Sequence, residues 1–426
     1  MATRKRPAST VPYDVMWWPL GARPQVELGR HTGPQAVGVG DLRGANAATV
    51  LAAIRAAPEP PRLAGVAEQT KLSRPTVEGI VEGLVRSGLV ADAPMPSAAG
   101  LISPGRPARR FTFQPRAAFV LGVDVRAYAI NACVSDLAGE VLVTERRKVR
   151  RDLTGAGRAK AMLQVVHQVL NQAGLQPDQV SAAVVGTPGW VEDNARIRYV
   201  DNLKDWADVD IAGLLRESLG CPVAVENDAN LAAVGEQWRG VGSATDDLVF
   251  VLVGERVGAG IIAGGRPLHG YRGAAGEIGF TMFEDGNRLS APAIGRAGAQ
   301  RPGIDPGSLY SDAAVVRHAA KGQDEAIADL QSVGARLAEA LAPALLVLDP
   351  ELVVVGTSLF GRPDLDAAAQ YVLQAAEQQA ATLLVDPPRW QLSMLGDDAI
   401  LSGAVRFALA AIDNILLSKP LSLSEK

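Results

Sequence analysis

The sequence predicts an α/β protein with a small helical head that carries a wing. In residues 45–90 apolar side chains recur at helical spacing, whereas from Ala118 onward short apolar strands alternate with helices. The charge changes at the same boundary. Residues 1–116 hold 15 Lys and Arg against 8 Asp and Glu, while residues 117–426 hold 27 against 38. The head can therefore sit on a polyanion that would repel the rest of the chain.

The composition bounds the class of protein. With 426 residues, 48% of them hydrophobic, the chain is long enough for two or three domains with proper cores. The two cysteines, Cys133 and Cys221, lie in apolar runs and form neither a disulfide framework nor a metal-ligand spacing. No run approaches the ~20 apolar residues of a membrane helix. We expect a soluble cytoplasmic protein without a membrane segment.

The pattern divides the chain into five parts. They are a mobile N-terminal tail (1–40), a helical head with wing and linker (41–116), a first lobe (117–239), a second lobe (240–395) and a C-terminal helix expected to pack back on the first lobe (396–426).

Three helices are predicted in the head. The first runs from Ala45 to the prolines that begin at Pro58, and the second covers 63–70. Ser73 is a suitable N-cap for the third, which has Pro75 in its first turn, where a missing N–H costs nothing. Gly88 ends this helix before a short strand. This order is typical of a winged helix-turn-helix.

A winged helix-turn-helix would present the start of its third helix to the DNA major groove, with Arg74 as the best candidate for a guanine contact. An extended Arg in the wing can enter a minor groove. The residues predicted to contact DNA are Ser73, Arg74, Pro75 and Thr76 on the helix and Arg106, Arg109 and Arg110 in the wing. A structural three-helix bundle with a basic linker stays open as the alternative, since Glu78 and Glu82 weaken the case for DNA.

The remaining chain reads as two α/β lobes built to one scheme. A meander of three strands opens the first lobe: 119–124, 129–134 and 140–147. A helix at 159–173, a strand at 180–185 and a helix at 211–219 follow. The second lobe repeats the scheme with strands at 247–253, 260–264 and 352–355 and long helices near 324–346 and 364–381.

The stretch from Val225 to Glu236 is the centre of the first lobe. An apolar strand (222–225) ends at polar residues, and an Ala-rich helix follows them. Asn227 and Asp228 should therefore lie at the carboxyl end of a strand, where α/β proteins place ligands. A carboxylate there can orient or deprotonate a hydroxyl. The alternative is an Asn-Asp helix cap without chemistry.

Three motifs carry a family resemblance. They are Gly186-Thr187-Pro188-Gly189, Glu226-Asn227-Asp228-Ala229-Asn230 and Ala275-Gly276-Glu277-Ile278-Gly279. In this order, and behind this head, they resemble the ROK family of repressors and sugar kinases, over about residues 43–415. The resemblance implies a winged helix-turn-helix domain followed by two actin-like, ribonuclease H-like α/β lobes.

The resemblance also implies roles for single residues. In the kinases of the family, the Asp matching Asp228 is the base for a sugar hydroxyl that attacks the γ-phosphate of ATP. Residues matching Asn227 and Glu277 hydrogen-bond sugar hydroxyls. Gly189 and Asn202 lie in loops that line the same cleft.

The phosphate-binding half of the family pattern is altered. The kinases carry an Asp-x-Gly-Gly-Thr hairpin, but here Asp124 is followed by Val125-Arg126-Ala127, whose side chains should block a phosphate. The second phosphate loop reads Gly254-Glu255-Arg256-Val257-Gly258. A carboxylate about 4 Å from a phosphate charge costs about 4 kcal/mol at an effective dielectric near 20, which Arg256 would partly offset. Gly356-Thr357 replaces the usual Gly-Gly.

The sugar-binding half is altered as well. Phe280 stands where relatives carry a histidine that ligates a structural zinc and touches the sugar. The cysteines that complete that zinc site are missing from the segment 284–290, and the last sugar-contacting Glu is deleted with them. We therefore expect no zinc at this place, and Phe280 would give the site an apolar wall.

These observations predict a DNA-binding transcriptional regulator, a repressor, that acts as a homodimer or tetramer. Its lobes would form a dimerisation module and a sensor for a sugar or sugar derivative, held by Gly189, Asn202, Asn227, Asp228, Glu277 and Phe280. We expect no cofactor and no metal. Two alternatives stay open: an ATP-dependent sugar kinase that uses Asp228 as base, and a ligand-free dimerisation scaffold.

Overall fold

The fold is that of a computed structural model, which describes residues 39–93, 109–192, 195–200, 202–253, 257–280, 314–356 and 366–418. Arg106, the loop 254–256, the segment 284–290, Thr357 and the predicted tail before Val39 lie outside the described residues, and so does the side chain of Phe280.

The head is a winged helix-turn-helix, as predicted. Three helices are followed by two antiparallel strands: α1 (Val39–Ala56), α2 (Leu63–Thr70), α3 (Arg74–Arg86), β1 (Val90–Asp92) and β2 (Phe111–Phe113). Arg62 forms a β-bridge to Arg110, so the wing is joined to the start of α2. Helix α1 begins earlier than predicted because Gly40 and Gly44 are weak helix formers and hide the pattern. The buried side chains include those of Val50, Ile54, Val66, Val77, Val81, Leu84, Leu89 and Phe111.

The first lobe is a five-stranded sheet in the order β5-β4-β3-β6-β9. Strands β3, β4 and β5 form the predicted antiparallel meander, and β6 and β9 continue the sheet in parallel with β3. Its elements are β3 (Phe119–Val125), β4 (Ala129–Asp136), β5 (Val141–Lys148), α4 (Gly155–Ala173), β6 (Val180–Thr187), β7 (Trp190–Val191), β8 (Ile197–Tyr199), α5 (Ile211–Leu219) and β9 (Val223–Asn227).

The hairpin β7–β8 was not predicted, since its strands are two and three residues long. It fixes the loop that follows β6. Gly189 has φ +105°, and a Cβ there would lie 2.3 Å from the carbonyl oxygen of Tyr199. The fully buried Trp206 anchors the same loop by donating from Nε1 to Thr187 Oγ1 at 2.9 Å. Only glycine allows this hairpin to fold against the strand end.

The second lobe repeats the scheme, as predicted, with a sheet in the order β12-β11-β10-β13-β14. Strand β10 pairs antiparallel with β11 and parallel with β13. Its elements are β10 (Leu248–Val253), β11 (Val257–Ala263), β12 (Arg266–Pro267), α7 (Ala314–Ala320), α8 (Asp324–Leu348), β13 (Leu352–Gly356), α9 (Asp366–Leu383) and β14 (Arg389–Leu392). Strand β11 starts at Val257, three residues before the predicted Gly260. The short β14 was not predicted.

Two helices lie between the sheets: α6 (Asp228–Arg239), which follows β9, and α10 (Ala399–Ser418). They cross at very short range, because a Cβ on Gly403 would lie 1.8 Å from the carbonyl oxygen of Leu231. A Cβ on Gly235 would lie 2.3 Å from the carbonyl oxygen of Ala399. Helix α10 also contacts β3 and β6 of the first lobe and α1 of the head.

The head is joined to the lobes through α10. Arg55 on α1 forms a salt bridge with Asp413 on α10, with Nη2 3.4 Å from Oδ1. The same guanidinium lies 4.8 Å from the ring centre of Phe113 in the wing. One arginine thus connects α1, the wing and the last helix of the lobes.

Among the described residues, α8 reaches the length and apolarity of a membrane-spanning helix. Leu337 and Leu341 on α8 are fully buried, and the helix packs against α7 and α9. These contacts are those of a core helix.

Arg158 supports the turn between β3 and β4. Its side chain on α4 is fully buried. Nη1 donates to the carbonyls of Arg126 and Ala127 at 2.7 and 3.1 Å, and Nη2 donates to that of Arg151 at 3.2 Å. The turn therefore depends on a cation beneath it.

We predict that Arg158→Met destabilises the protein by about 2–4 kcal/mol, since it leaves buried carbonyls without donors. Lys160→Met, an exposed neighbour on α4, is the matched control and should change stability by less than about 0.5 kcal/mol. Urea unfolding measures both. Equal stability of the two variants would contradict the supporting role of Arg158.

Candidate ligand cleft and nucleic-acid interface

Asn227 is both the cap of α6 and a contact to a neighbouring loop. Its Oδ1 accepts from the backbone N–H groups of Ala229 at 2.9 Å and Asn230 at 3.1 Å. Its Nδ2 donates to the carbonyl of Gly189 at 3.0 Å. The helix-cap interpretation is therefore confirmed, and the same side chain ties the strand end to the loop of Gly189. The ligand-site interpretation stays a prediction.

Asp228 starts α6 and is partly exposed. Burial, together with the charges of Asp124 and Glu277, raises its pKa to about 7, although the Ala229 N–H and Arg126 act in the opposite direction. Glu277 is thus brought close to Asp228 although 49 residues separate them. A carboxyl with this pKa exchanges protons near neutral pH, so it suits hydrogen bonding to a hydroxyl and also general-base chemistry.

Beneath Asn227 lies a buried contact between a carboxyl group and an imidazole that the sequence did not predict. Glu226 Oε2 lies 2.9 Å from Nε2 of His269. Its Oε1 accepts from Asn230 Nδ2 at 2.9 Å and from the Asn227 N–H at 2.8 Å. Burial alone would raise the pKa of Glu226, but His269 and these donors outweigh it and lower the pKa. One signal was present, since His269 is one of only four histidines in the sequence.

A cleft of about 450 Å³ lies between the lobes. Asn202 and Pro188 line it from the first lobe and Leu252 and Val253 from the second. The Oδ1 of Asn202 is buried and accepts no hydrogen bond from the part of the chain that the structure describes. Asn202 thus lines the cleft, and Gly189 follows Pro188, which lines it too. Their roles in ligand binding stay predictions.

At the turn between β3 and β4, Arg126 points into the cleft and holds two acids. Its Nε donates to Asp124 Oδ2 at 2.7 Å. Its Nη1 and Nη2 donate to Oδ1 and the backbone carbonyl of Asp397 at 2.8 and 2.9 Å. Val125, by contrast, is fully buried in the core. Of the side chains after Asp124 that were expected to block this turn, those of Arg126 and Ala127 line the cleft and that of Val125 does not.

Asp124 itself is completely buried. Burial raises its pKa, and Arg126 and Asn131, whose Nδ2 donates at 3.0 Å, act in the opposite direction. The pair Asp124–Arg126 thus joins the strand to the start of α10 through Asp397.

On the head, the first turn of α3 is exposed. Ser73 caps α3 by accepting from the Thr76 N–H at 3.3 Å, and the two hydroxyls lie 2.7 Å apart. Arg74 and Pro75 are exposed beside them. This surface also carries the exposed Glu78 and Glu82.

The two described wing arginines have partners within the head. Arg109 donates from Nε and Nη2 to Asp92 at 2.8 and 3.0 Å and lies over the ring of Phe111. Arg110 donates to the carbonyl of Pro60 at 2.9 Å. Both arginines therefore hold the wing, which the sequence did not indicate.

Comparison with known proteins identifies both parts of the chain. Residues 120–411 match the model of the ROK family, and residues 45–94 match that of the IclR helix-turn-helix domain. Among curated relatives, the xylose repressor of Bacillus subtilis is 25% identical over 221 residues, which cover 52% of this chain and 56% of that protein. The glucokinase of Halalkalibacterium halodurans is 26% identical over 304 residues, 66% of this chain and 91% of that protein. The chain thus spans about half the length of the xylose repressor.

Solved structures share the fold. A ROK family transcriptional regulator, a homologue of the E. coli MLC protein, superposes with TM-score 0.68 at 20% identity, over 89% of this chain and 99% of that one. A glucokinase from Streptomyces griseus, in complex with glucose and AMPPNP, gives TM-score 0.57 at 23% identity, over 68% and 99% of the two chains. The regulator structure covers enough of this chain to include the head, whereas the glucokinase structure covers only about as much as the two lobes.

We predict that Asp228→Asn stabilises the protein at pH 8 by about 1–2 kcal/mol, a value reduced for the partial exposure of the side chain. The folded protein keeps this proton up to about pH 7, whereas an Asp with the ordinary value of 3.8 loses it far earlier. Ionisation of Asp228 therefore lowers the stability of the folded protein progressively as the pH rises from about 4 to 7. An asparagine does not ionise, so the variant does not lose this stability.

Melting temperatures measured from pH 4 to 8 test this prediction, with the exposed Asp208→Asn as control. The difference between Asp228→Asn and wild type should increase with pH, and that for Asp208→Asn should stay small. A difference that is constant across the range would contradict the raised pKa.

Proposed function

The chain belongs to the ROK family, and on that premise we propose that it is a DNA-binding transcriptional regulator, a repressor, whose lobes respond to a sugar or sugar derivative. The observation that carries the proposal is the winged helix-turn-helix domain docked on α10. A kinase has no use for such a domain. The relatives named as xylose repressors support the sign of regulation and the class of effector.

The DNA interface proposed is the start of α3 and the wing. Ser73, Arg74, Pro75 and Thr76 would enter the major groove, where Arg74 is the candidate for a bidentate guanine contact. Arg106, Arg109 and Arg110 would follow the DNA backbone or minor groove. Two heads in a homodimer would read half-sites one helical turn apart, since dimeric helix-turn-helix proteins bind in this way. Such a regulator works in the cytoplasm.

The sensor site proposed consists of Asn227, Asp228 and Glu277 at the end of β9, beside Gly189, Asn202 and Phe280. Carboxylates and an amide at a strand end suit the alternating hydroxyls of a sugar. A ligand that contacts both lobes would favour one interlobe closure. It would thereby shift the population of head arrangements that fit successive major grooves.

We propose that the ATP half of a kinase site is blocked in this chain. Arg126, bonded to Asp124 and Asp397, fills the turn where kinases of the family carry glycines that approach phosphate. We therefore propose that the chain is not an enzyme and takes no cofactor.

A sugar kinase is the second candidate, and one observation favours it. Asp228 has a pKa of about 7, the value that suits a general base at neutral pH. Glucokinases are also among the relatives. A ligand-free dimerisation scaffold would instead leave the cleft without a response to any sugar.

We predict salt-dependent, sequence-selective DNA binding. DNA selected from a random pool should bind with an affinity that falls linearly on a log–log plot as salt rises. Arg74→Ala should lower the preference for the selected sequence by about 1–3 kcal/mol and change binding to scrambled DNA little. Arg86→Ala, at the exposed far end of α3, is the matched control.

Fluorescence anisotropy with selected and scrambled duplexes measures these affinities. Equal losses from Arg74→Ala and Arg86→Ala would remove Arg74 as the base-reading residue. Binding that ignores both sequence and salt would refute the regulator.

We predict no ADP release above background when the protein is mixed with Mg-ATP and a panel of monosaccharides. An active glucokinase assayed in parallel gives the positive control. Turnover that disappears in Asp228→Asn would restore the kinase.

A further inference from the structure

Another pocket lies beside the last turns of α6 and the middle of α10, with a volume of about 350 Å³. None of the described residues lines both this α6–α10 pocket and the interlobe cleft. Its walls are α6, the loop 243–246, the turn into β12 and α10. We propose that the pocket is a second effector site, which takes an uncharged aromatic or heteroaromatic molecule of one or two rings. The site is independent of the sugar sensor, and only its effect on DNA rests on the proposed regulator function.

Backbone hydrogen bonds fix the walls of the pocket. In the loop after α6, the Thr245 N–H donates to the carbonyl of Gly242 at 3.1 Å, and the Gly242 N–H donates to that of Glu236 at 3.2 Å. The Gly265 N–H donates to the carbonyl of Asp246 at 2.7 Å and holds the turn of the second lobe against this loop. The pocket is thus formed before a ligand arrives, so a ligand binds without the cost of ordering these segments.

Two aromatic side chains give the pocket an apolar surface. Trp238 of α6 and Phe407 of α10 line it together with Val234 and Ala410. Both aromatic side chains are partly buried and pack on the hydrophobic cluster that the head and the lobes share. Aromatic rings pack favourably on one another beyond the gain from buried area, so these walls suit a flat ring. Since an apolar cavity of about 150 Å³ already holds benzene, the volume here allows one or two rings.

The polar groups of the pocket favour a ligand that is neutral but can form hydrogen bonds. The described residues of its lining carry one cation, Arg406, and one carboxylate, Asp246, so their charges balance. Gln237 Nε2 lies 3.5 Å from the carbonyl oxygen of Thr245, at the limit of a hydrogen bond, so a ligand acceptor can replace this contact. An amide or a ring nitrogen therefore suits the pocket better than a formal charge.

The pocket is connected to the head along α10. Asp413 lies three residues after Ala410 and forms the salt bridge with Arg55 of α1. Residues three apart lie on the same face of a helix. A ligand that packs on Phe407 and Ala410 therefore acts on the face of α10 that binds the head.

A second connection runs from Trp238 to the linker of the head. The guanidinium of Arg239 lies 3.8 Å from the ring centre of Trp238, and its Nη1 donates to the carbonyl of Gly139 at 2.8 Å. Gly139 lies in the turn between β4 and β5, where the Leu137 N–H donates to the carbonyl of Pro115 at 2.9 Å. Pro115 begins the 3₁₀ turn that joins the wing to the first lobe. A ligand stacked on Trp238 thus acts on the linker as well as on α10.

Matched probes test the ligand class on the full chain. Indole, benzamide, nicotinamide and quinolin-2-one are titrated by calorimetry, each beside its saturated analogue, such as cyclohexanecarboxamide for benzamide. Benzoate and benzylamine are the charged analogues of benzamide. At least one aromatic probe should bind at one site per chain, about two- to tenfold more tightly than its saturated analogue. An excess of monosaccharides should not displace it, since the proposed sugar site lies elsewhere.

Variants test the location of the site. Ala244→Phe places a ring at the exposed rim of the pocket and should weaken binding of the probe at least about tenfold. Ala381→Phe, at an exposed position of α9 outside the described lining, is the matched control and should leave binding unchanged. Phe407→Leu removes one aromatic wall and should lower the preference for the aromatic probe over its saturated analogue. Melting temperatures show whether each variant is folded.

DNA binding and hydrogen exchange measure the effect on the head. With the probe at about 100 times its Kd, the affinity for the selected duplex should change at least about fivefold in the wild type and stay unchanged in Ala244→Phe. Amide exchange in α1 and in residues 114–117 should change in parallel.

The outcomes separate the site from the regulator. The site would be overturned if no aromatic probe binds, if benzoate or benzylamine binds more tightly than benzamide, if monosaccharides displace the probe, or if Ala244→Phe binds it as well as the wild type does. Binding that changes neither DNA affinity nor exchange in the head would overturn the effector role. A chain that binds the probe and changes its exchange, but shows no selective DNA binding, would refute the proposed regulator and support the site.

Discussion

The ion pairs of Arg126 are the constraint on which the arrangement of the cleft depends. One guanidinium joins the buried Asp124 of β3 to Asp397 at the start of α10. Burial of a carboxylate without a partner is costly, so Asp124 requires Arg126 or a proton. Arg158 holds the carbonyls of the same turn from below. The turn that offers backbone to a phosphate in kinases of the family is here a fixed point between the first lobe and α10.

Helix α10 connects this fixed point to α6 and to the head. The glycine crossing with α6 brings α10 against the helix that starts at Asn227 and Asp228. Its last turns meet the head at Arg55. A ligand at the end of β9 and a duplex bound by α3 would therefore act on one rigid element. Such an arrangement would couple the two sites, since each partner would bias the packing of the same helix.

Much of the fold was accessible from sequence because its signals are local. Apolar periodicity and the N-cap Ser73 predicted the helices of the head. The strand that ends near Asn227 was predicted because its apolar run is followed by polar residues. The short strands β7, β8 and β14 gave no such signal. The cap and site roles of Asn227 could not be told apart, because both need the same side chain at the same place. Contacts between distant segments, such as Glu226 with His269 or Arg109 with Asp92, depend on tertiary packing that no local pattern encodes.

The most direct test of the account is hydrogen exchange of the full chain with and without Arg126. In Arg126→Met the salt bridges that join the start of α10 to β3 are lost. We therefore expect faster amide exchange along α10, in α1 and in the turn 126–128. Arg150→Met is the control and should leave all three segments unchanged. Faster exchange confined to the turn 126–128 would contradict a mechanical connection between the cleft and the DNA-binding head.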